Sequence, residues 1–372
     1  MVDGGKAKIS VFIPVYEGSA LLESLLEKLT SDRYDGKEIF VAIDRPNGDS
    51  LRVVERFCDK AHFFLCSERR GKVEALNSAF KLSSGEILVF LDADVRIGEC
   101  ESFLETVERE MRDCDIVDFK KKILPDSFVS RMVNYEYIGS NYASYLFSKL
   151  VGRCFAVNGT AFAIKREAFE EVGGFSKVVS EDLDLAVKAF MKGRRFKYAE
   201  KIEVYTEAPS NWREWLNQRK RWGIGTGLWI KKHWKRLVRS IAKYPHAALP
   251  CAIILFPTAV PLLFSYVCSA FLKVQPYSLV PAVLAAQLSF PSAPAIPVSL
   301  LSIIFTGLTN FLLGFMALSA IFYVVSKRLG FHFNIAEFLV YYFVYQPIAA
   351  LILLAGIVRA FISTNHKLDW KV

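Results

Sequence analysis

The stretch Gly85-Glu86-Ile87-Leu88-Val89-Phe90-Leu91-Asp92-Ala93-Asp94 decides how this chain is read. Glu86–Leu91 is short and apolar on alternate and consecutive positions alike, the pattern of a strand covered on both faces. Ile9–Val15 and Ile39–Ile43 repeat it, and His62–Cys66 fits a further strand. Between these runs, Ser19–Thr30 has Leu at 21, 22, 25, 26 and 29, a one-sided helical stripe; Leu51–Lys60 and Val73–Leu82 are also read as helices. Strands alternating with helices predict an α/β domain with a mainly parallel sheet. Ligands of such sheets bind beyond the carboxyl ends of the strands. There the chain has Tyr16 and Glu17, then Asp44, then Asp92 and Asp94.

Residues two apart in an extended segment project to the same side, so Asp92 and Asp94 are expected to face one point. Two carboxylates there repel and call for a hard divalent cation, Mg²⁺ or Mn²⁺. The competing reading makes Asp92 a turn or cap residue and Asp94 a solvated acid. A similar choice arises at Val179-Ser180-Glu181-Asp182-Leu183-Asp184, which opens a helix: Ser180 suits an N-cap and acids favour a helix N-terminus.

The 372 residues are 52% hydrophobic and 23% charged, which excludes a wholly soluble or a disordered protein. No Asp, Glu, Lys or Arg occurs over 246–272, 274–326 or 338–358. Runs of this length are read as membrane spans. Ala247–Leu272, Val298–Val325 and Ile335–Ile362 are expected to span. Tyr277–Pro297, with four prolines, is a broken fourth span, a re-entrant hairpin or a loop. The tail His366–Trp370 favours four spans. Of the net charge of +9, a large part sits in Trp212–Lys243, where ten Lys and Arg face one acid, Glu214. A basic block before the first span reads as juxtamembrane and cytoplasmic rather than as nucleic-acid binding. Trp229–Lys243 reads as an amphipathic helix on the bilayer surface. The short charged start carries no signal-peptide pattern, so the globular part is expected on the cytoplasmic face. The seven cysteines show no metal spacing and are expected to be reduced; the five histidines carry no assignment.

The ordered set Ile13-Pro14-Val15-Tyr16, Asp44, Gly71-Lys72-x-x-Ala75-Leu76-Asn77, Asp92-x-Asp94, Glu181-Asp182 and Gln218-x-x-Arg221-Trp222 resembles the family-2 inverting glycosyltransferases, membrane-bound branch, which includes cellulose and hyaluronan synthases. The resemblance covers roughly residues 8–245. It implies a GT-A, Rossmann-like nucleotide-sugar-binding domain. Pro14, Tyr16, Glu17, Asp44, Lys72, Asp92, Gln218 and Arg221 would bind the nucleotide sugar, and Asp94 with Asp92 the metal. Asp182 would be the general base, while Asn158, Gly159 and Trp222 would border the acceptor. Glu181 and Asp184 are read as structural. Two departures, Glu17-Gly18 after the first strand and Asp44-Arg45 after the second, bear on which nucleotide binds.

The expected domains are a cytoplasmic GT-A domain over 1–228, a basic interfacial helix over 229–245 and a transmembrane region over 246–372. The expected activity is transfer of a sugar from a nucleotide-sugar donor to a lipid-linked or polysaccharide acceptor at the membrane, with membrane lipids as further partners and no nucleic acid. The alternative is a polyprenyl-phosphate sugar synthase, in which a lipid phosphate attacks directly and no base is needed.

Overall fold

A computed structural model describes residues 6–255 and 298–363. The chain divides into two compact units, Met1–Cys251 with Ile348–Val372, and Ala252–Pro347.

The first unit is built on an eight-stranded sheet. Its strands are β1 (Ile9–Tyr16), β2 (Lys37–Asp44), β3 (His62–Cys66), β4 (Ile87–Leu91), β5 (Val95–Ile97), β6 (Ile116–Ile123), β7 (Ala161–Lys165) and β8 (Phe196–Thr206), in the order β3-β2-β1-β4-β7-β6-β8-β5. The first four in that order are parallel, as the apolar runs imply. β7 runs antiparallel to both β4 and β6, so the sheet is mixed. That reversal shapes the site, because Ala161 at the start of β7 pairs with Leu91 at the end of β4. The loop before β7 is thereby set beside Asp92.

Helices α1 (Leu22–Ser31), α2 (Gly48–Phe57) and α4 (Phe103–Met111) cover one face of the sheet. Helices α3 (Lys72–Phe80), α6 (Arg166–Glu171) and α7 (Glu181–Met191) cover the other. On that second face Phe40, Phe12, Phe90 and Phe162 stack in register across β2, β1, β4 and β7, with ring centroids 5.4, 5.1 and 5.1 Å apart. Burying each such ring contributes roughly 1.5–3 kcal/mol. Helix α5 (Phe128–Leu146) precedes a π turn at Phe147–Val151.

Helix α8 (Trp212–Lys243) runs unbroken for 32 residues, straight through position 228. Asn211 caps it by accepting from the amides of Arg213 and Glu214. Its Gly223 and Gly227 lie against the C-terminal helix. A methyl on Gly227 would come within 2.6 Å of Ala360 Cβ, and one on Gly356 within 2.7 Å of Gly223 Cα. Small residues four apart on both helices let the two backbones touch. Past α8 lies the short α9 (Ala248–Leu255).

The second unit contains α10 (Val298–Leu329) and α11 (Ile335–Val340). Rings of Phe315 and Phe322 on α10 pack on Phe338 of α11, with centroids 6.1 and 5.0 Å apart. The last helix, α12 (Gln346–Ile362), continues from α11 through a π turn at Tyr341–Tyr345. Among the described residues, Phe311–Leu329 and Ile335–Ile362 are long and apolar enough to cross a membrane. Most of the expected first span beyond Leu255, the proline-rich Tyr277–Pro297 and the tail His366–Trp370 lie outside the described residues.

Candidate active site

Tyr16 and Asp44 end β1 and β2 side by side. Asp44 is buried, and its Oδ2 accepts from the amides of Arg70 (2.9 Å) and Gly71 (2.7 Å). One carboxylate thus fixes the loop that launches α3. Gly71 takes φ +90°, open to glycine and strained for other residues, and Lys72 follows as the first residue of the helix.

Lys72 Nζ lies 2.6 Å from Asp92 Oδ1 and 3.6 Å from Glu181 Oε1. Burial works against its charge, but Asp92, Glu181 and Asp182 outweigh that and raise its pKa above the ordinary lysine value. The Asp92-Ala93-Asp94 segment is a turn, with the Val95 amide donating to Asp92 O at 3.2 Å, so the extended geometry expected of it does not occur. The two carboxylates still sense each other. Burial, and then the charge of Asp92, pushes the Asp94 carboxyl up to about 7.

The Asn158-Gly159-Thr160 loop, placed by the antiparallel β7, joins the two sets of acids. Thr160 O accepts from the Asp92 amide at 2.9 Å, and the Gly159 amide donates to Asp182 Oδ2 at 2.9 Å. The other oxygen of Asp182 accepts from the Leu183 amide at 2.8 Å. Burial raises the pKa of Asp182 despite these bonds and the Lys72 charge, and the neighbouring Glu181 is raised for the same first reason. Ser180 does stand at the N-cap position of α7, yet its side chain makes no capping bond. Pro14, Lys72, Asp92, Gly159, Glu181 and Asp182 line one small cavity.

Helix α8 supplies the cover. Burial lowers the pKa of Arg221, and the charges of Glu181 and Asp92 oppose that shift, so its guanidinium belongs to the same cluster. Gln218 Oε1 is buried with no hydrogen-bond partner among the described residues. Trp222 is 40% exposed and lies under the Arg219 guanidinium, 4.1 Å from its ring centroid. At the edge, Arg69 covers the Tyr16 ring at 4.7 Å and Arg45 Nη1 donates to Tyr16 Oη at 3.3 Å. Glu17 (φ 59°) and Arg45 (φ 54°) both hold left-handed backbone, a conformation that costs non-glycine residues roughly 1–2 kcal/mol.

Four participants escaped the sequence reading. Arg219 is 5% exposed and pairs with Glu136 on α5. Tyr137 on α5 hydrogen-bonds Asn158, while burial pushes its hydroxyl up to about 12. Glu181, read as structural, faces Lys72. His233 meets Asp184, with Nε2 and Oδ1 2.8 Å apart. The only usable signal was helical spacing, which cannot say which of two arginines turns inward.

The donor set suits a hard divalent ion. Asp94 is a part-buried carboxylate, and Asp92 stands two residues away. Among the described residues, no three His, Cys, Asp or Glu side chains converge as a closed metal cage. Two carboxylates with the remaining positions left to phosphate and water is a usual Mg²⁺ arrangement.

A family model described as glycosyl transferase family group 2 matches residues 87–362. The probable glycosyltransferase YdaM of Bacillus subtilis (strain 168) is 24% identical over 237 residues, 60% of this chain and 56% of that protein. The poly-β-1,6-N-acetyl-D-glucosamine synthase of Staphylococcus aureus (strain COL) is 22% identical over 222 residues, 58% of this chain and 54% of that protein. The chain thus spans about half the length of the curated relatives it matches. A mannosyltransferase of Pyrobaculum calidifontis, solved in complex with GDP-mannose and Mn²⁺, has a TM-score of 0.59 at 19% identity, covering 97% of this chain and 89% of that one. At that identity the likeness speaks for the fold.

Proposed function

The chain belongs to glycosyl transferase family group 2, and on that premise we propose that it is a membrane-bound inverting glycosyltransferase. It takes a sugar from a nucleotide-sugar donor at the cytoplasmic face and transfers it to a lipid-linked or glycan acceptor. The observation that carries this reading is the Asn158–Thr160 loop, whose backbone bonds Asp92 on one side and Asp182 on the other. A base and a diphosphate-facing carboxylate held by one loop suit a single displacement.

Asp182 takes the proton from the acceptor hydroxyl as that oxygen attacks the anomeric carbon from the face opposite the leaving group. The bond to the diphosphate oxygen breaks in the same step, and the configuration inverts. Burial suits Asp182 to the task, because a raised pKa makes a carboxylate a stronger base. Lys72 and Arg221 set positive charge where the leaving diphosphate gathers negative charge. Asp92 and Asp94 would hold the Mg²⁺ or Mn²⁺, which when bound supplies further charge neutralisation for the diphosphate. Asp44 shapes the nucleotide end by holding the Arg70–Gly71 loop. Trp222 and Asn158 border the acceptor side.

The test is thermal unfolding of the full chain in detergent with UDP-N-acetylglucosamine, UDP-glucose and GDP-mannose, each with and without Mn²⁺. Binding to the folded state raises the melting temperature, so one donor should stabilise the protein and do so only with the cation. Asp94→Asn should lose that cation dependence. Asp182→Asn should keep donor binding and lose transfer; full transfer by that variant would favour direct attack by a lipid phosphate. Absence of both binding and hydrolysis of every donor would overturn the proposal.

A further inference from the structure

One stripe of α8 runs along the first turn of α7. Arg221, Gly225, Trp229 and His233 follow one another at spacings of four, with Lys232 three residues after Trp229, so they share a side of the helix. Arg221 sits by Glu181 and Asp92, as described above. Gly225 lies on the residues that open α7: a methyl there would come 2.5 Å from Ser180 Oγ and 2.9 Å from Val179 Cγ1. Trp229 Nε1 donates to Leu183 O at 3.1 Å. Lys232 Nζ lies 2.7 Å and His233 Nε2 2.8 Å from Asp184 Oδ1. Asp184 is 1% exposed, so this bond is made out of water, where an imprecise contact is expensive. Asp182 stands between these anchors, one residue from Leu183 and two from Ser180 and Asp184.

We propose that Gly225 and the His233–Asp184 bond are positioning elements for Asp182, so that α8 sets where the basic oxygen stands. The proposal rests on the reading of Asp182 as general base. Ser180 makes no capping bond of its own, so the entry to α7 is steadied from α8. Gly225 permits the close approach that puts the two backbones in register, and His233 locks the turn from the far side. Neither residue touches substrate. Their loss shifts the base by a fraction of an ångström while leaving the donor's binding groups in place.

The experiment compares the parental chain with His233→Ala, His233→Gln, Gly225→Ala, Gly225→Ala combined with Ser180→Gly, and Asp182→Asn, all full length in detergent. Release of UDP or GDP is followed from UDP-N-acetylglucosamine and GDP-mannose with Mn²⁺, and deuterium uptake is followed over residues 179–187. His233→Ala and Gly225→Ala should each lower kcat about tenfold or more while the donor KM changes by less than about threefold. Both should speed exchange in the 179–187 segment. His233→Gln keeps an N–H within reach of Asp184 and should recover most of the turnover, and Ser180→Gly should relieve Gly225→Ala. Parental kcat in His233→Ala and Gly225→Ala, with Asp182→Asn inactive, overturns the positioning proposal and leaves the base reading standing. Parental turnover by Asp182→Asn removes the base reading and this proposal with it. If neither donor is turned over, unchanged exchange over 179–187 in both variants is enough to overturn the proposal.

Discussion

Asp182 Oδ2 accepts from the Gly159 amide at 2.9 Å, and a methyl group on Gly159 would stand 2.9 Å from that same oxygen. The bond and the missing side chain are one feature, since the amide reaches the carboxylate only where no Cβ intervenes. Gly159→Ala should therefore push Asp182 aside. We expect turnover to fall about 10²-fold with the donor's KM nearly unchanged. Steady-state nucleotide release, with KM and kcat separated, checks this. A rise in KM at constant kcat would count against it.

Lys72 answers the charges of Asp92 and Glu181 in a largely buried cluster, its side chain 15% exposed. Removing one partner of a buried ion pair leaves the other uncompensated, at about 3 kcal/mol for Lys72→Met. A divalent cation can take over part of that duty, so Mn²⁺ should raise the melting temperature of Lys72→Met by more than it raises that of the parental protein. Thermal unfolding with and without Mn²⁺ measures the difference. Equal shifts in the two proteins would mean that the ion and the ammonium do not answer the same carboxylates.

Arg219 and Arg221 point to opposite sides of α8, and their losses should look different. Arg219→Met removes the ion pair to the Glu136 carboxylate and the stack on Trp222, with a cost in stability of about 3 kcal/mol. Glu136→Gln in the same chain should recover much of it. Arg221→Met should change stability by less than about 1 kcal/mol and turnover by about 10²-fold. Denaturant unfolding and turnover, run on the same four proteins, separate the two roles.

Acid should weaken the sheet at Glu203. Burial alone would raise its pKa, but bonds from Lys120, Lys122 and Tyr205 prevail and hold it down at about 2. A carboxylate depressed in the folded state stabilises above its unfolded value of 4.5 and loses that contribution as pH falls towards 2. Between pH 5 and pH 2 the parental protein should lose stability more steeply than Glu203→Gln, as followed by unfolding at fixed temperature across that range. Parallel curves would show that Glu203 does not set the acid limb.

The strands β1 to β4 and the helices between them were legible because apolar period and length agree there. β7 was not: Ala161–Lys165 is five residues long and no local rule says which way a strand runs. The direction of β7 is what sets Gly159 against Asp182, so the heart of the site depends on the least readable strand. Asp92 and Asp94 were singled out by their place after β4, and the structure sets them in a turn and not in the alternation of an extended chain. The basic block after Asn211 was read as two pieces, one over the active site and one on the bilayer, because charge and tryptophan mark each half separately. It is one helix, since neither Gly223, Gly225 nor Gly227 suffices to break it once both sides are packed. His233 and Asp184 stand 49 residues apart, and a contact across such a distance leaves no trace in local spacing.

The backbone contact between Gly223 or Gly227 and the C-terminal helix bears on how the protein can be handled. A fragment ending at Cys251 keeps every acid of the cavity but uncovers two glycines in the middle of α8. Each glycine weakens an exposed helix by about 1 kcal/mol relative to alanine, so the helix would bend between Arg221 and Trp229. Such a fragment would be dead for a mechanical reason, and a synthetic peptide spanning residues 348–362 should revive it.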